Sequence, residues 1–231
     1  MREISFDTET TGLNPRGGDR LVEIGGVELI NHIPTGNVYH VYINPERDMP
    51  EEAFRVHGLS EEFLGGYPVF REIADAFVDF IGDSPMVIHN AGFDMKFINA
   101  ELEWLKKSVY PMSRAVDTLM MARQRFPGAQ VSLDALCRRF EIDNSSRTFH
   151  GALLDSELLA EVYLELTGGR QPGFELAGNG AQGGVGGMAA RKERPFREPR
   201  PHAPSEAELA AHREFMTQIK DPIWDRTGDE G

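Results

Sequence analysis

Four carboxylates stand at positions where they could act together. Asp7 and Glu9 close a short apolar stretch, Ile4-Ser5-Phe6-Asp7-Thr8-Glu9-Thr10-Thr11-Gly12, and Asp94 and Asp155 end two later segments, His89-Asn90-Ala91-Gly92-Phe93-Asp94 and His150-Gly151-Ala152-Leu153-Leu154-Asp155. In a strand, side chains two apart share a face, so Asp7 and Glu9 point the same way. Asp94 heads a run in which Phe97, Ile98, Leu102 and Leu105 recur at helical spacing, and Asp155 precedes Leu158, Leu159, Val162 and Leu166 in the same manner. Each acid therefore sits at the edge of a face that should be buried. An ionised carboxylate there needs a partner, and these segments hold few Lys or Arg.

Hard divalent cations are the natural alternative. Oxygen-only ligands favour magnesium or manganese over zinc. Four acids can hold two ions, and two ions suit in-line displacement at phosphorus, one readying the attacking water and the other neutralising the leaving oxygen. The reaction class is phosphodiester hydrolysis. His150 has the intrinsic pKa to accept a proton near neutral pH and is assigned as general base. Taken singly, each acid reads as a turn or helix-start residue; the set of three segments in order is what defines a site.

These segments resemble the three exonuclease motifs of the DEDD superfamily, and the His150-x4-Asp155 spacing resembles its histidine branch. Val56-His57-Gly58-Leu59, Ser132-Leu133-Asp134-Ala135-Leu136-Cys137 and Arg147 through Gly169 extend the similarity to the proofreading subunits of bacterial replicative polymerases, over about residues 3 to 169. The resemblance implies a 3′→5′ exonuclease releasing nucleoside monophosphates from a DNA 3′ end, in the bacterial cytoplasm at the replisome. It implies that Asp7, Glu9 and Asp155 hold one Mg²⁺ or Mn²⁺ ion, with Asp7 bridging to a second that Asp94 reaches. By position it places Thr10, Leu13, Val56, His57, His89, Asn90 and Phe93 around the terminal nucleotide. Alternatives with the same motifs are an RNA-trimming exoribonuclease and a catalytically silent structural subunit.

The elements that must hold these groups follow from pattern. Strands are expected at Ile4 to Asp7, Leu21 to Leu29 and Val38 to Ile43, with turns at Asn14-Pro15 and Pro34-Thr35-Gly36-Asn37, then at Met86 to His89 and Ala115 to Asp117. Helices are expected over 70–81, from Asp94, over 118–126 and 132–140, and over 152–166. This is an α/β chain with a mixed central sheet flanked by helices, an order similar to the ribonuclease H-like exonuclease fold.

The chain has 231 residues, enough for one full core and a tail. No stretch is long and apolar enough for a membrane span, and the N-terminus lacks the order of a secretion signal. The single cysteine, Cys137, falls among Leu133, Leu136 and Phe140 and reads as a core thiol in a reducing, cytoplasmic compartment. A net charge of −13 is unfavourable for a DNA-handling protein. Lys106-Lys107, Arg138-Arg139, Arg123, Arg125 and Arg147 could form a local basic track, although a solvated helix face is the plainer reading.

After residue 169 the composition changes: nine of the twenty residues from Gly168 to Gly187 are glycine. Residues 1–169 are read as the exonuclease domain, 170–203 as a flexible linker and 204–231 as a docking segment. Gln171, Phe174 and Leu176 resemble the anchors of a sliding-clamp-binding peptide over 171–176. Ser205 and Glu208 form a capping-box pattern, and Leu209, Met216 and Ile219 share one face before Asp221-Pro222. Such a short helix wants a covering surface; the resemblance implies the polymerase catalytic subunit. A small accessory subunit is a further possible partner.

Overall fold

The apolar core of the first motif forms the middle of a long strand, β1 (Arg2–Thr10), in a computed structural model that describes residues 1–145, 149–169 and 203–219. β1 pairs antiparallel with β2 (Leu21–Ile30), which pairs antiparallel with β3 (Ile33–Tyr42). The chain then crosses through α1 (Glu51–His57), α2 (Glu61–Leu64) and α3 (Phe70–Ile81) to β4 (Met86–Ile88), which lies parallel to β1. α4 (Ala91–Trp104) leads to β5 (Ala115–Asp117), parallel to β4, and α5 (Thr118–Arg125), α6 (Leu133–Phe140) and α7 (Ala152–Leu166) follow. The sheet order is β3-β2-β1-β4-β5, a mixed sheet with its two shortest strands at one side.

The two faces of β1 meet different layers. Ile4 and Phe6 enter the main core with Phe70, Phe77, Phe97 and Ile98 of α3 and α4. Phe77 has no exposed surface and its ring lies 5.9–6.4 Å from those of Phe6, Tyr39, Phe70 and Tyr110. Cutting it to Ala should cost about 3–5 kcal/mol. On the opposite face, Ser5 Oγ donates to the Ser156 carbonyl at 2.7 Å, and Tyr163 Oη donates to the buried Glu3 at 2.8 Å, so α7 lies along that side. The leucine stripe of α7 (Leu158, Val162, Leu166) packs on Leu136 and Cys137 of α6 and Ala122 of α5, which makes Cys137 a buried thiol.

α7 approaches β2 closely at Gly25. A Cβ at that position would lie 2.2 Å from the carbonyl carbon and oxygen of Ala152. Only a bare backbone permits this contact. Ser156 Oγ reinforces it, donating 3.0 Å to the Gly25 carbonyl.

Three expectations need correction. The β2–β3 turn is not at Pro34-Thr35-Gly36-Asn37 but at Asn31-His32, whose φ angles of 52° and 68° make a tight two-residue hairpin. Pro34 lies inside β3, an edge strand where its missing N–H costs no ladder bond, and the next residues form a bulge opposite Glu28. Sequence periodicity also missed α1 and α2, which are too short to show a repeat. Finally, the last helix, α8 (Glu206–Thr217), ends short of Ile219, which the expected apolar face included; Asp221-Pro222 lie outside the described residues.

α8 belongs to a second unit of the chain. Its capping box is complete, with Ser205 Oγ accepting from the Glu208 N–H at 3.3 Å and Glu208 accepting from the Ser205 N–H at 2.8 Å. Leu209 and Phe215 are exposed on it. No helix among the described residues is long and apolar enough to cross a membrane.

Candidate active site

β1 delivers its acids where its pairing with β2 changes register. Glu9 stands opposite Glu23, but Thr10 stands opposite Leu21, leaving Val22 as an extra residue. Such bulges re-aim side chains at strand ends. Asp7 and Glu9 continue the face of Ser5, towards α7, and Thr8 takes the other face and donates through Oγ1 to Asp94 Oδ1 at 2.7 Å. Asp94 comes from the first turn of α4 and Asp155 from the first turn of α7.

Asp7, Glu9, Asp94, His150 and Asp155 all line one cavity of about 330 Å³, together with His89, Asn90 and Phe93. Glu9, His150 and Asp155 draw closest, each offering a donor atom within 4.8 Å of the others. His150 Nδ1 lies 3.2 Å from Asp155 Oδ2, half the imidazole is exposed, and its backbone N–H donates to the Val56 carbonyl at 3.1 Å. A neighbouring cavity of about 370 Å³ is lined by Thr10, Leu13, Val56, His57 and Phe93, with Glu9 and Phe93 common to both.

Burial pushes the Asp94 carboxyl up to about 7, even though the Thr8 hydroxyl favours its charged form. The protein alone thus disfavours the ionised state that a metal ligand must adopt. This, with the converging oxygens of Glu9 and Asp155, is a donor set that fits a hard divalent cation. Glu23 adds a further carboxylate directly across from Glu9, buried and held by His40 Nε2 at 2.7 Å. Like charges opposed across strands are unfavourable without compensation.

Of the histidines placed at the pocket, His57 is buried and its Nδ1 accepts from the Leu59 N–H at 3.0 Å, which puts the ring proton on Nε2. Burial lowers its pKa, in keeping with a neutral ring. His89, also lowered by burial, has Nδ1 3.0 Å from Thr118 Oγ1. Asn90 sits at φ 71°, at the start of α4, and makes no side-chain cap.

The cap comes from Asp117, which sequence reasoning passed over. Its Oδ1 accepts from the N–H groups of Asn90 (3.3 Å), Leu119 (2.9 Å) and Met120 (3.3 Å), and Oδ2 accepts from Ala91 (3.2 Å). One carboxylate thus closes the N-termini of both α4 and α5. An Asp just before a helix is a cap signal that could have flagged it; the second helix it serves is distant in sequence. Ser132, Leu133 and Asp134 of the acid-lined cavity and Pro50, Glu52 and Ala53 of its neighbour were likewise unassigned.

The basic track does not form as a set. Lys107 pairs with Asp75, Arg125 donates to the Glu165 and Leu166 carbonyls at the end of α7, and Arg139 lies 4.5 Å over the Phe126 ring. Arg147 lies outside the described residues, as do Gln171, Phe174 and Leu176.

A mixed sheet whose central strand gathers acids from helices on both faces defines a nuclease of the ribonuclease H-like exonuclease fold. Residues 4–163 match the family model described as Exonuclease. DNA polymerase III subunit epsilon of Rickettsia felis is 50% identical over 224 residues, covering 95% of this chain and 97% of the relative. The same subunit of Escherichia coli K12 is 51% identical over 176 residues, covering 73% and 72%. Among solved structures, exonuclease X in complex with 5′ overhanging duplex DNA aligns at TM-score 0.55 and 25% identity, over 72% of this chain and 90% of that one. The nuclease domain of 3′hExo, a DEDDh family member bound to rAMP, aligns at TM-score 0.60 and 16% identity over 72% and 91%, a likeness of fold alone. The chain belongs to the exonuclease family and, within it, to the DNA polymerase III epsilon subunits. Exonucleases of the DEDDh type use divalent metals.

Proposed function

We propose that this chain hydrolyses DNA from the 3′ end to nucleoside monophosphates as the proofreading subunit of a replicative polymerase. Asp7, Glu9, Asp94 and Asp155 hold two divalent cations, Mg²⁺ or Mn²⁺, and His150 is the general base. When bound, such ions supply Lewis-acid activation and charge neutralisation at phosphorus.

The chain's own groups do the rest. Thr8 fixes the rotamer of Asp94 through its 2.7 Å bond. His150, with Nδ1 turned to Asp155, presents Nε2 to take the proton of the attacking water, and its half-exposed ring passes that proton to solvent. Thr10, Leu13, Val56, His57 and Phe93 seat the terminal nucleotide in the larger cavity, and His89 and Asn90 border the acids. The observation that carries this reading is that one cavity holds all four acids and His150, and shares Glu9 and Phe93 with a nucleotide-sized neighbour.

Residues 1–169 form the exonuclease domain, 170–203 a linker carrying the clamp-binding peptide, and 204–231 the segment that docks on the polymerase catalytic subunit. The exposed Leu209 and Phe215 on a fully capped α8 support that docking role, and the relatives' name supports assembly with the polymerase in the cytoplasm. A small accessory subunit is a further partner.

Digestion of 5′-labelled DNA and RNA strands, side by side with Mg²⁺ and with Mn²⁺, tests the reading. Stepwise loss from the DNA 3′ end is the expected result. Faster loss from RNA would favour the RNA-trimming alternative. Asp7→Ala with Glu9→Ala should leave no hydrolysis, and His150→Ala should lower the rate about 10²- to 10⁴-fold with metal binding kept. Deleting 204–231 should spare hydrolysis and end co-purification with the polymerase.

A further inference from the structure

An acidic cavity in a chain of net charge −13 repels the polyanion it is to cut, and the strand must meet a cation near the mouth. Among the described residues, Arg2, Arg20, Arg47, Arg55, Arg71 and Lys107 are each paired with a carboxylate. Lys96, on α4 two residues after Asp94, makes no such pair among the described residues. Its ammonium donates to the Leu13 carbonyl at 2.7 Å and lies 5.3 Å and 5.4 Å from the ring centres of Phe93 and Phe97. Leu13 and Phe93 line the nucleotide-sized cavity, and Lys96 itself is exposed.

We propose that Lys96 binds a backbone phosphate of the DNA strand whose terminal nucleotide enters between Leu13 and Phe93, an inference that rests on the function proposed above. An ammonium has three donors and the Leu13 carbonyl uses one, so two remain for an anion. No carboxylate among the described residues pairs with it, and the rings beneath it fix its height without neutralising it. A neutral donor would serve as well if the only task were to pin the Leu13 loop. The full positive charge at the lip of an acidic site is what a phosphate contact requires.

The test uses the full chain and its Lys96→Met and Lys96→Arg variants. Binding of a single-stranded oligonucleotide with a phosphorothioate 3′ linkage is followed by anisotropy across a salt series, and cleavage of the matching phosphodiester strand gives KM and kcat. One lost phosphate contact on a single strand should flatten the slope of log affinity against log salt by about 0.7. Lys96→Met should show that change, with the loss falling on KM, and Lys96→Arg should restore it. An unchanged salt slope and KM in Lys96→Met, beside a wild-type chain that cleaves DNA, would leave Lys96 as a loop fastener and overturn this proposal alone. A wild-type chain that does not cleave DNA would overturn the function together with it.

Discussion

Thr8 Oγ1 and Asp94 Oδ1 lie 2.7 Å apart on the face of β1 turned away from Asp7 and Glu9. The third acid of the site is therefore aimed by a residue that lies between the first two in sequence and on the other side of the strand. A hydrogen bond to a charged group contributes about 1.5–3 kcal/mol. Thr8→Val removes it with little change of shape and should weaken divalent-cation affinity about tenfold, the equivalent of ~1.4 kcal/mol. Calorimetric titration with Mn²⁺ measures this, and an unchanged affinity would mean that Asp94 is aimed by its helix alone.

Burial raises Asp94 from 3.8 to about 7, with a definite sign for stability. The unfolded chain ionises this group first, so in metal-free protein the group's penalty is absent below its unfolded value, grows between 3.8 and about 7, and is complete above that. A bound cation reverses the preference. The rise in melting temperature on adding Mg²⁺ should therefore be larger at pH 8 than at pH 6, and binding near pH 6 should release a proton, seen as a dependence of the calorimetric heat on buffer ionisation enthalpy.

Asp117 serves two helices at once, so its removal should cost about 2 kcal/mol, near 1 for each cap. Asp117→Asn can keep the three bonds to Oδ1 and lose only the one from Ala91, and should fall well short of Asp117→Ala in urea denaturation. Equal losses in the two variants would show that charge, not acceptor geometry, is what matters there.

Gly25→Ala places a methyl group 2.2 Å from the Ala152 carbonyl, against backbone that cannot swing aside. α7 must lift, carrying Asp155 with it, and overpacking of this kind costs about 1–3 kcal/mol. A displacement of about 1 Å at reacting groups lowers rates on the order of 10²-fold. At Gly26, on the other face, the nearest atom is Phe80 Cε1 at 3.0 Å, on a side chain that can give. Gly26→Ala should thus be much milder in both stability and nuclease assays.

Much of the architecture was legible because it repeats. A strand-like run bounded by turn residues marked β2, helical spacing marked α3 and α7, and Ser205 with Glu208 marked the start of α8. The hairpin was misplaced because Pro34 and Gly36 are stronger turn signals than Asn31 and His32, yet the edge of a sheet tolerates proline and left-handed Asn and His close a two-residue turn. Within the site, the acids stood out by chemistry, but their supports did not. Glu23 faces Glu9 only through the antiparallel register of β2 on β1, and Asp117 reaches Asn90 across 27 positions. Nothing local in the sequence encodes either relation.

The end of β1 separates two helical layers, with Asp94 arriving from one and Asp155 from the other. Two cations, one on each of these acids, would together act as a rivet at the end of the central strand, so the catalytic seat and a mechanical joint coincide. Chelation should then do more than silence the enzyme: it should let α4 and α7 part at their first turns, leaving those turns open to proteases while the strands between them stay sealed.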